Sequence, residues 1–435
     1  MNNKQCNLQK LIIFFLGQTL SQFGSALTGF ALVIWAFSKT GEVMTSSMLA
    51  ICSTVPYLIV SLAGGSIVDR RSKKAIMLIC DFIAALSTLA VIILFKLDQL
   101  EIWILYIVNA VSGLMNAFQN PASQVAITLL VDKDKFAKFS GIQSAANSML
   151  GIFSPILATT LLSFGGLSLV LIVDLSTFLF AFLTLLFFIK IPEIKAEHTS
   201  KLFDIIPDIK NGFAYLKGQK GILYLMIIYS SLNFLGAISF DSMMNPLVLS
   251  RTNNNAMYAG AVSASMAISG TLAGIVITIS KQSKNKIAVM FRGILVAFIG
   301  ITSFGLAKNV YLWCAIVLFG CFGMPFYFAY ESAILRERVA VEVQGKLFAL
   351  RGMIGNLLTP LGYFLGAILA DYIFEPFMKG SSSVKQALSH IVGDGAGSGI
   401  SLIFIIAGLT GFILTLILRN NKYIKELNVD SSSEN

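Results

Sequence analysis

The residues of this sequence that can do chemistry are acids set within or beside apolar runs. Asp174 stands in LVLIVDLSTF with no basic residue close to it in sequence. By helical rise it lies on the order of 10 Å below the outer surface of a membrane. An unpaired carboxylate at that depth is expensive when ionised. It therefore either accepts a proton or is held by hydrogen bonds that tie neighbouring helices together, and both roles stay open. Asp69 is placed differently. It lies in GGSIVDRRSKK, four residues after Gly65, and is followed by Arg70, Arg71, Lys73 and Lys74. Four residues are about one helical turn, so Gly65 and Asp69 share a face. The glycine admits a close neighbour, and the carboxylate can face that neighbour's start, which carries about half a positive charge. The chemistry implied is that of a latch: a charge that docks and releases. The cations after it keep the hairpin from being drawn through a bilayer.

Two further acids suggest a charge network. Asp81 falls about two turns below the basic loop, within reach of its cations, and Glu331 precedes Arg336 by about one turn, which predicts an ordinary ion pair. Polar side chains recur inside the apolar runs. Gln18, Ser21, Gln22, Ser25 and Thr28 form a stripe, with Asn109, Asn147, Tyr229, Asn233, Tyr327 and Tyr330 further along. Of these, Gln18, Gln22, Ser25, Asn109, Asn147, Tyr229, Asn233, Tyr327 and Tyr330 are candidates to line a cavity. Amides are costly against lipid, so the stripe faces either another helix or a water-filled space. Nothing points to an enzyme. No nucleophile–base set, metal cluster or phosphate loop is present, so no catalytic residue, metal or cofactor is expected. His198 and His390 lie in separate loops, and Cys6, Cys52, Cys80, Cys314 and Cys321 have no paired or metal-like spacing.

These groups must be positioned by membrane helices. The chain of 435 residues is 56% apolar and 12% charged, with a mean hydropathy of +0.79. It cannot cover a water-soluble globule with polar surface. A span needs about 20 apolar residues, and twelve such runs are present. The net charge of +10 records topology rather than nucleic-acid binding. With the N-terminus in the cytoplasm, Lys39, Lys96, Arg251, Lys308, Lys379 and Lys385 fall outside and Arg292 within a span. The rest of the 32 Lys and Arg fall on inner loops and helix ends. The first apolar run lacks a small-residue cleavage site and leads into further spans, which predicts an anchor rather than a removed signal.

The expected fold is all-α and integral to the membrane, with twelve transmembrane helices in two pseudo-symmetric six-helix bundles. The first bundle is expected over 1–189. A cytoplasmic linker follows over 190–220, with Phe203, Ile206, Ile209, Phe213 and Leu216 on one face of an amphipathic helix. The second bundle is expected over 221–418, and a cytoplasmic tail over 419–435. The halves repeat. Pro121 and Gly141 are matched by Pro325 and Gly345, each displaced by 204 residues, and Pro155 by Pro360, displaced by 205. The hairpin after span eight keeps Gly274, Lys281, Lys284 and Lys286 but has Thr278 where Asp69 would fall, so the complete latch belongs to the first half. The stretch from Phe374 to Gly399 is Gly/Ser-rich and is expected to be a long, mobile outer loop.

The spacing of Gly65, Asp69, Arg70, Lys73 and Lys74 resembles the G-x-x-x-D-R/K-x-x-R/K signature between the second and third spans of the major facilitator superfamily. GQTLSQFGSAL in the first span, and QGKLFAL after the tenth, resemble the macrolide-efflux branch of its drug exporters. Where many proton-coupled drug exporters carry an arginine in span four, this chain offers Asn109 and Ser112. Ser154-Pro155 is a degenerate form of their Gly-Pro motif in span five. The resemblance implies two halves that rock around a central cavity. The shared face of Gly65 and Asp69 suggests that Asp69 docks on the start of span eleven, at Gly345-Lys346, when the inner gate is shut. The resemblance further implies export of amphipathic drugs such as macrolides, driven by a coupling proton. Such a protein sits in a bacterial plasma membrane with both termini cytoplasmic and works as a monomer. Its partners are a small amphipathic substrate, the proton and the bilayer. The competing readings are export of an endogenous metabolite, siderophore or peptide, and a non-transporting sensor or partner subunit.

Overall fold

The computed structural model describes residues 2–130, 136–189, 191, 219–281, 283, 285–339 and 350–427; within these, 2–11, 62–70, 128, 136–141, 144, 145 and 336 are described by backbone alone. The expected linker helix, the start of span eleven at Gly345-Lys346, and the QGKLFA portion of QGKLFAL lie outside them.

A chain this apolar, in a solvent that cannot satisfy peptide groups, must close its hydrogen bonds within each segment, and it does so as helices. Eleven helical stretches are long and apolar enough to cross a membrane. One of them lies within Phe136–Phe188 and is broken at Gly166 (φ 63°, ψ −166°), a conformation closed to residues with a side chain. That break turns one long helix into two, and the described residues carry twelve spans. We label them α1 (Asn2–Thr40), α2 (Val43–Arg70), α3 (Lys73–Lys96), α4 (Ile102–Leu130), α5 (136–165) and α6 (167–188). The second set is α7 (Lys220–Arg251), α8 (Ala256–Ile279), α9 (Lys286–Leu306), α10 (Val310–Leu335), α11 (Leu350–Lys379) and α12 (Ser398–Arg419). Short polar side chains start several of them. Ser72 accepts from Ala75 N–H, Asn255 from Met257, Asn285 from Ala288 and Asn309 from Leu312. Each satisfies one of the backbone donors left open at a helix start.

The chain divides into two compact units: Met1–Thr40 with Met48–Ile205, and Gly41–Ser47 with Ile206–Asn435. In the first, α3 shows how the sequence sorts its faces. Met77, Cys80, Asp81, Thr88, Val91 and Ile92 are buried, while Ile79, Phe82, Leu86 and Ile93 are exposed. In water that exposed face would be a liability; against hydrocarbon it is the expected surface. A core of Leu27, Ala31, Leu105, Val170 and Leu171 joins α1, α4 and α6. Gly24 lets α1 approach α6, since a Cβ there would lie 2.7 Å from Asp174 Oδ1 and 3.0 Å from its Cα.

In the second unit, Phe240, Phe304, Phe404 and Trp313 form one aromatic cluster, and the Trp313 indole donates to Phe304 O at 3.2 Å. Helix α7 is not regular: Ala237–Asp241 is a π-helical segment. The expected mobile loop over 374–399 is instead largely helical, with Glu375–Lys379 closing α11 and a further helix over Ser383–Val392. Ser382 caps that helix by accepting from Lys385 N–H at 3.2 Å. Val392 is buried with Met378 and Leu402, and its carbonyl accepts from Arg251 Nη2. Glycine content suggested mobility, but a serine cap and a buried apolar face are enough to build a helix.

Candidate functional site

Several groups of polar side chains sit within the helices of the described residues. In the first unit, Asp174 of α6 is 1% exposed. Its Oδ2 accepts from Thr28 Oγ1 at 2.8 Å and from Thr88 Oγ1 at 3.2 Å, joining α1, α3 and α6. Its Oδ1 accepts no hydrogen bond from the described residues. One oxygen is thus held by two hydroxyls while the other keeps open acceptor capacity, an arrangement suited to holding helices together and to accepting a proton.

Asp81 lies on the same helix as Thr88, two turns nearer the basic loop. The loop cations are its expected partners, but the groups that bond it among the described residues are amides: Gln119 of α4, whose Nε2 donates to Asp81 Oδ1 at 2.9 Å and to Gln18 Oε1 at 3.3 Å, and Gln18 itself beside the carboxylate. Because a primary amide carries two donors, one Gln119 satisfies two acceptors at once. Gln119 was not singled out from sequence. Its position, an amide inside an apolar run, is the signal that could have found it. The stripe on α1 divides: Gln18 and Ser21 are buried and Thr28 half-buried, whereas Gln22 and Ser25 are exposed, Ser25 donating back to Ser21 O. Asn109 donates one turn back to Leu105 O, and Asn147 is exposed on α5.

Of the latch, the side chains of Gly65, Asp69 and Arg70 lie outside the described residues, as does the helix start expected to receive Asp69. Lys73 is buried. Lys74 Nζ donates to Leu186 O at 2.9 Å and to Ile189 O at 2.7 Å, placing a positive charge on the carbonyls that end α6. At the opposite end of α2, Asp371 of α11 accepts from Val43 N–H at 3.0 Å and from Met44 N–H at 2.6 Å, so a carboxylate caps that helix start.

In the second unit, Glu331 of α10 is fully buried and pairs with Arg351 of α11, whose Nε donates at 2.7 Å. This corrects the expected pair with Arg336, whose side chain lies outside the described residues. Arg351 meets the carboxylate because α11 brings its guanidinium into the place where that carboxylate is shut off from water. The Arg351 guanidinium also stacks on Tyr229, 4.0 Å from the ring centre. Tyr327, expected at a cavity wall, is instead fully buried in the core with Phe291 and Leu335. Tyr330 packs against the same core, and its hydroxyl accepts from Ser283 N–H at 3.4 Å. Helical phase gives the wall position to Phe328. It contributes, with Asn233, Phe240, Asp241, Met266 and Met324, to a cavity of about 350 Å³ between helices of this unit.

The family model described as Major Facilitator Superfamily matches residues 14–363. The chain belongs to the major facilitator superfamily. It is similar to Macrolide efflux protein A of Streptococcus pyogenes, 26% identical over 367 residues, covering 84% of this chain and 90% of that protein. It is also similar to Macrolide efflux protein A of Enterococcus faecalis, 25% identical over 325 residues, covering 74% of this chain and 99% of that one. Among solved structures it is similar to a bacterial homologue of the iron transporter ferroportin in the inward-facing state. The TM-score is 0.69 at 14% identity, covering 95% of this chain and 99% of that one, a likeness of fold alone. Membership of this superfamily makes the chain a membrane transporter and not an enzyme.

Proposed function

We propose that this transporter exports amphipathic, macrolide-like compounds from bacterial cells by alternating access, coupled to inward movement of protons. The observation that carries this reading is the similarity to Macrolide efflux protein A along most of both chains. An apolar cavity with few polar groups in the second unit supports a substrate of mixed character. In this reading both termini lie in the cytoplasm and the chain works in the plasma membrane. Asp69 docks on the start of α11 when the inner side is shut and leaves it when the halves tilt, while Asp174 carries the coupling proton.

Expression in a drug-susceptible host, with accumulation of a panel of macrolides and unrelated amphiphiles measured with and without an uncoupler, tests the reading. Lower accumulation that the uncoupler restores is expected. Unchanged accumulation across the panel would refute export of this class. Asp69→Asn is expected to insert normally and to abolish efflux, and full efflux by that variant would remove the latch. Drug-driven proton flux that is the same in Asp174→Asn vesicles would remove the proton role from Asp174.

A further inference from the structure

One acid lining the cavity of the second unit has no protein partner among the described residues. Asp241 ends the π-helical segment of α7 and forms part of the wall of the 350 Å³ cavity. Its side chain is accessible from the cavity while enclosed by the surrounding helices, and no described residue donates a hydrogen bond or an ion pair to its carboxylate. The other polar groups of that wall are the Asn233 amide and the Cys321 thiol, and the wall contains no Lys or Arg. An unpaired carboxylate in an apolar recess is costly unless something charged arrives to meet it.

The backbone is bent to present this group. In an α-helix, residues five apart point about 140° away from each other. In a π-turn, with its hydrogen bonds between residues five apart, they stack on one side. Gly236 and Asp241 are five apart and share a side: a Cβ on Gly236 would sit 3.8 Å from Asp241 Oδ2. The absent side chain leaves room beside the carboxylate. Around it the wall supplies the rings of Phe240, Phe298 and Phe328 and the flexible thioethers of Met266 and Met324. Aromatic faces attract cations, and methionines adapt to varied apolar shapes.

We propose that this cavity is a binding subsite for amphipathic monocations, such as a protonated or quaternary amine on an apolar body, with Asp241 as counter-charge. The proposal deepens the efflux reading above and rests on it for the substrate's being exported. A hard metal ion is disfavoured because it needs six or more oxygens, and the wall offers one carboxylate and one amide. A neutral solute would leave the carboxylate unmatched.

The test is equilibrium binding to the purified full chain, which needs no transport, using tetraphenylphosphonium as a permanent cation and triphenylphosphine oxide as a neutral comparator. Saturable binding of the cation is expected. Asp241→Asn is expected to weaken it more than tenfold while changing the neutral probe less than twofold, and Asp241→Glu to restore most of it. Gly236→Leu, which fills the recess, is expected to weaken both probes. Equal cation binding by wild type and Asp241→Asn would overturn the proposal. So would absence of saturable binding, equal loss of both probes in Asp241→Asn, or displacement of the cation by millimolar sodium. If the cation binds as described but cells show no change in accumulation, the efflux reading fails and the subsite stands.

Discussion

Removing Arg351 should cost more than removing any other single charge in the second unit. Its partner Glu331 is fully enclosed, and the Nε–Oε1 distance of 2.7 Å leaves no room for water between them. Two unit charges about 4 Å apart attract by about 4 kcal/mol at an effective dielectric of about 20. Breaking a buried pair by deleting one member costs about 3–5 kcal/mol, because the survivor stays charged without a partner. Arg351→Gln leaves Glu331 in that position and also removes the stack on Tyr229. Glu331→Gln leaves a guanidinium whose side chain is 17% exposed and retains the ring, so it should cost less. By the scaling of soluble domains, with about 2–4 °C per kcal/mol for 150–250 residues, Arg351→Gln should lower the midpoint of thermal aggregation in detergent by on the order of 10 °C. The double variant Arg351→Met with Glu331→Leu should recover most of that loss, since two apolar groups of similar size replace the pair. An Arg351→Gln midpoint within about 2 °C of wild type would refute the argument. So would a double variant whose loss equals the sum of the single ones.

Gly24→Leu should separate α1 from α6 and cost about 1–3 kcal/mol through overpacking against Asp174 and Thr177, while Gly29→Leu, at a position with nothing within 4 Å of the added Cβ, should be near neutral; their thermal midpoints in detergent give the comparison. Thr28→Val, which deletes the shorter of the two bonds to Asp174, should destabilise by about 1–3 kcal/mol. Asn at 174 would preserve an acceptor for the same hydroxyl, so Asp174→Asn should melt closer to wild type than Thr28→Val does. Asp371→Ala should lose the cap on α2 at about 0.5–2 kcal/mol, and faster amide exchange at Val43 and Met44 would report it.

The sequence by itself determined the solvent, the number of spans and the superfamily. Each follows from local properties: composition, run length, and the spacing of Gly65, Asp69, Arg70, Lys73 and Lys74. It also marked Asp174 as a buried acid, because depth along a helix can be counted from its ends. What the tertiary structure alone decided is which polar group meets which. Glu331 had Arg336 one turn away yet pairs with Arg351, and Asp81 had a basic loop nearby yet is bonded by Gln119. Both outcomes depend on how helices distant in sequence are rotated against one another, and rotation is set by the packing of whole faces. The cavity beside Asp241 depends further on a π-turn, whose one-residue change of register shifts every side chain beyond it and leaves no mark in hydropathy.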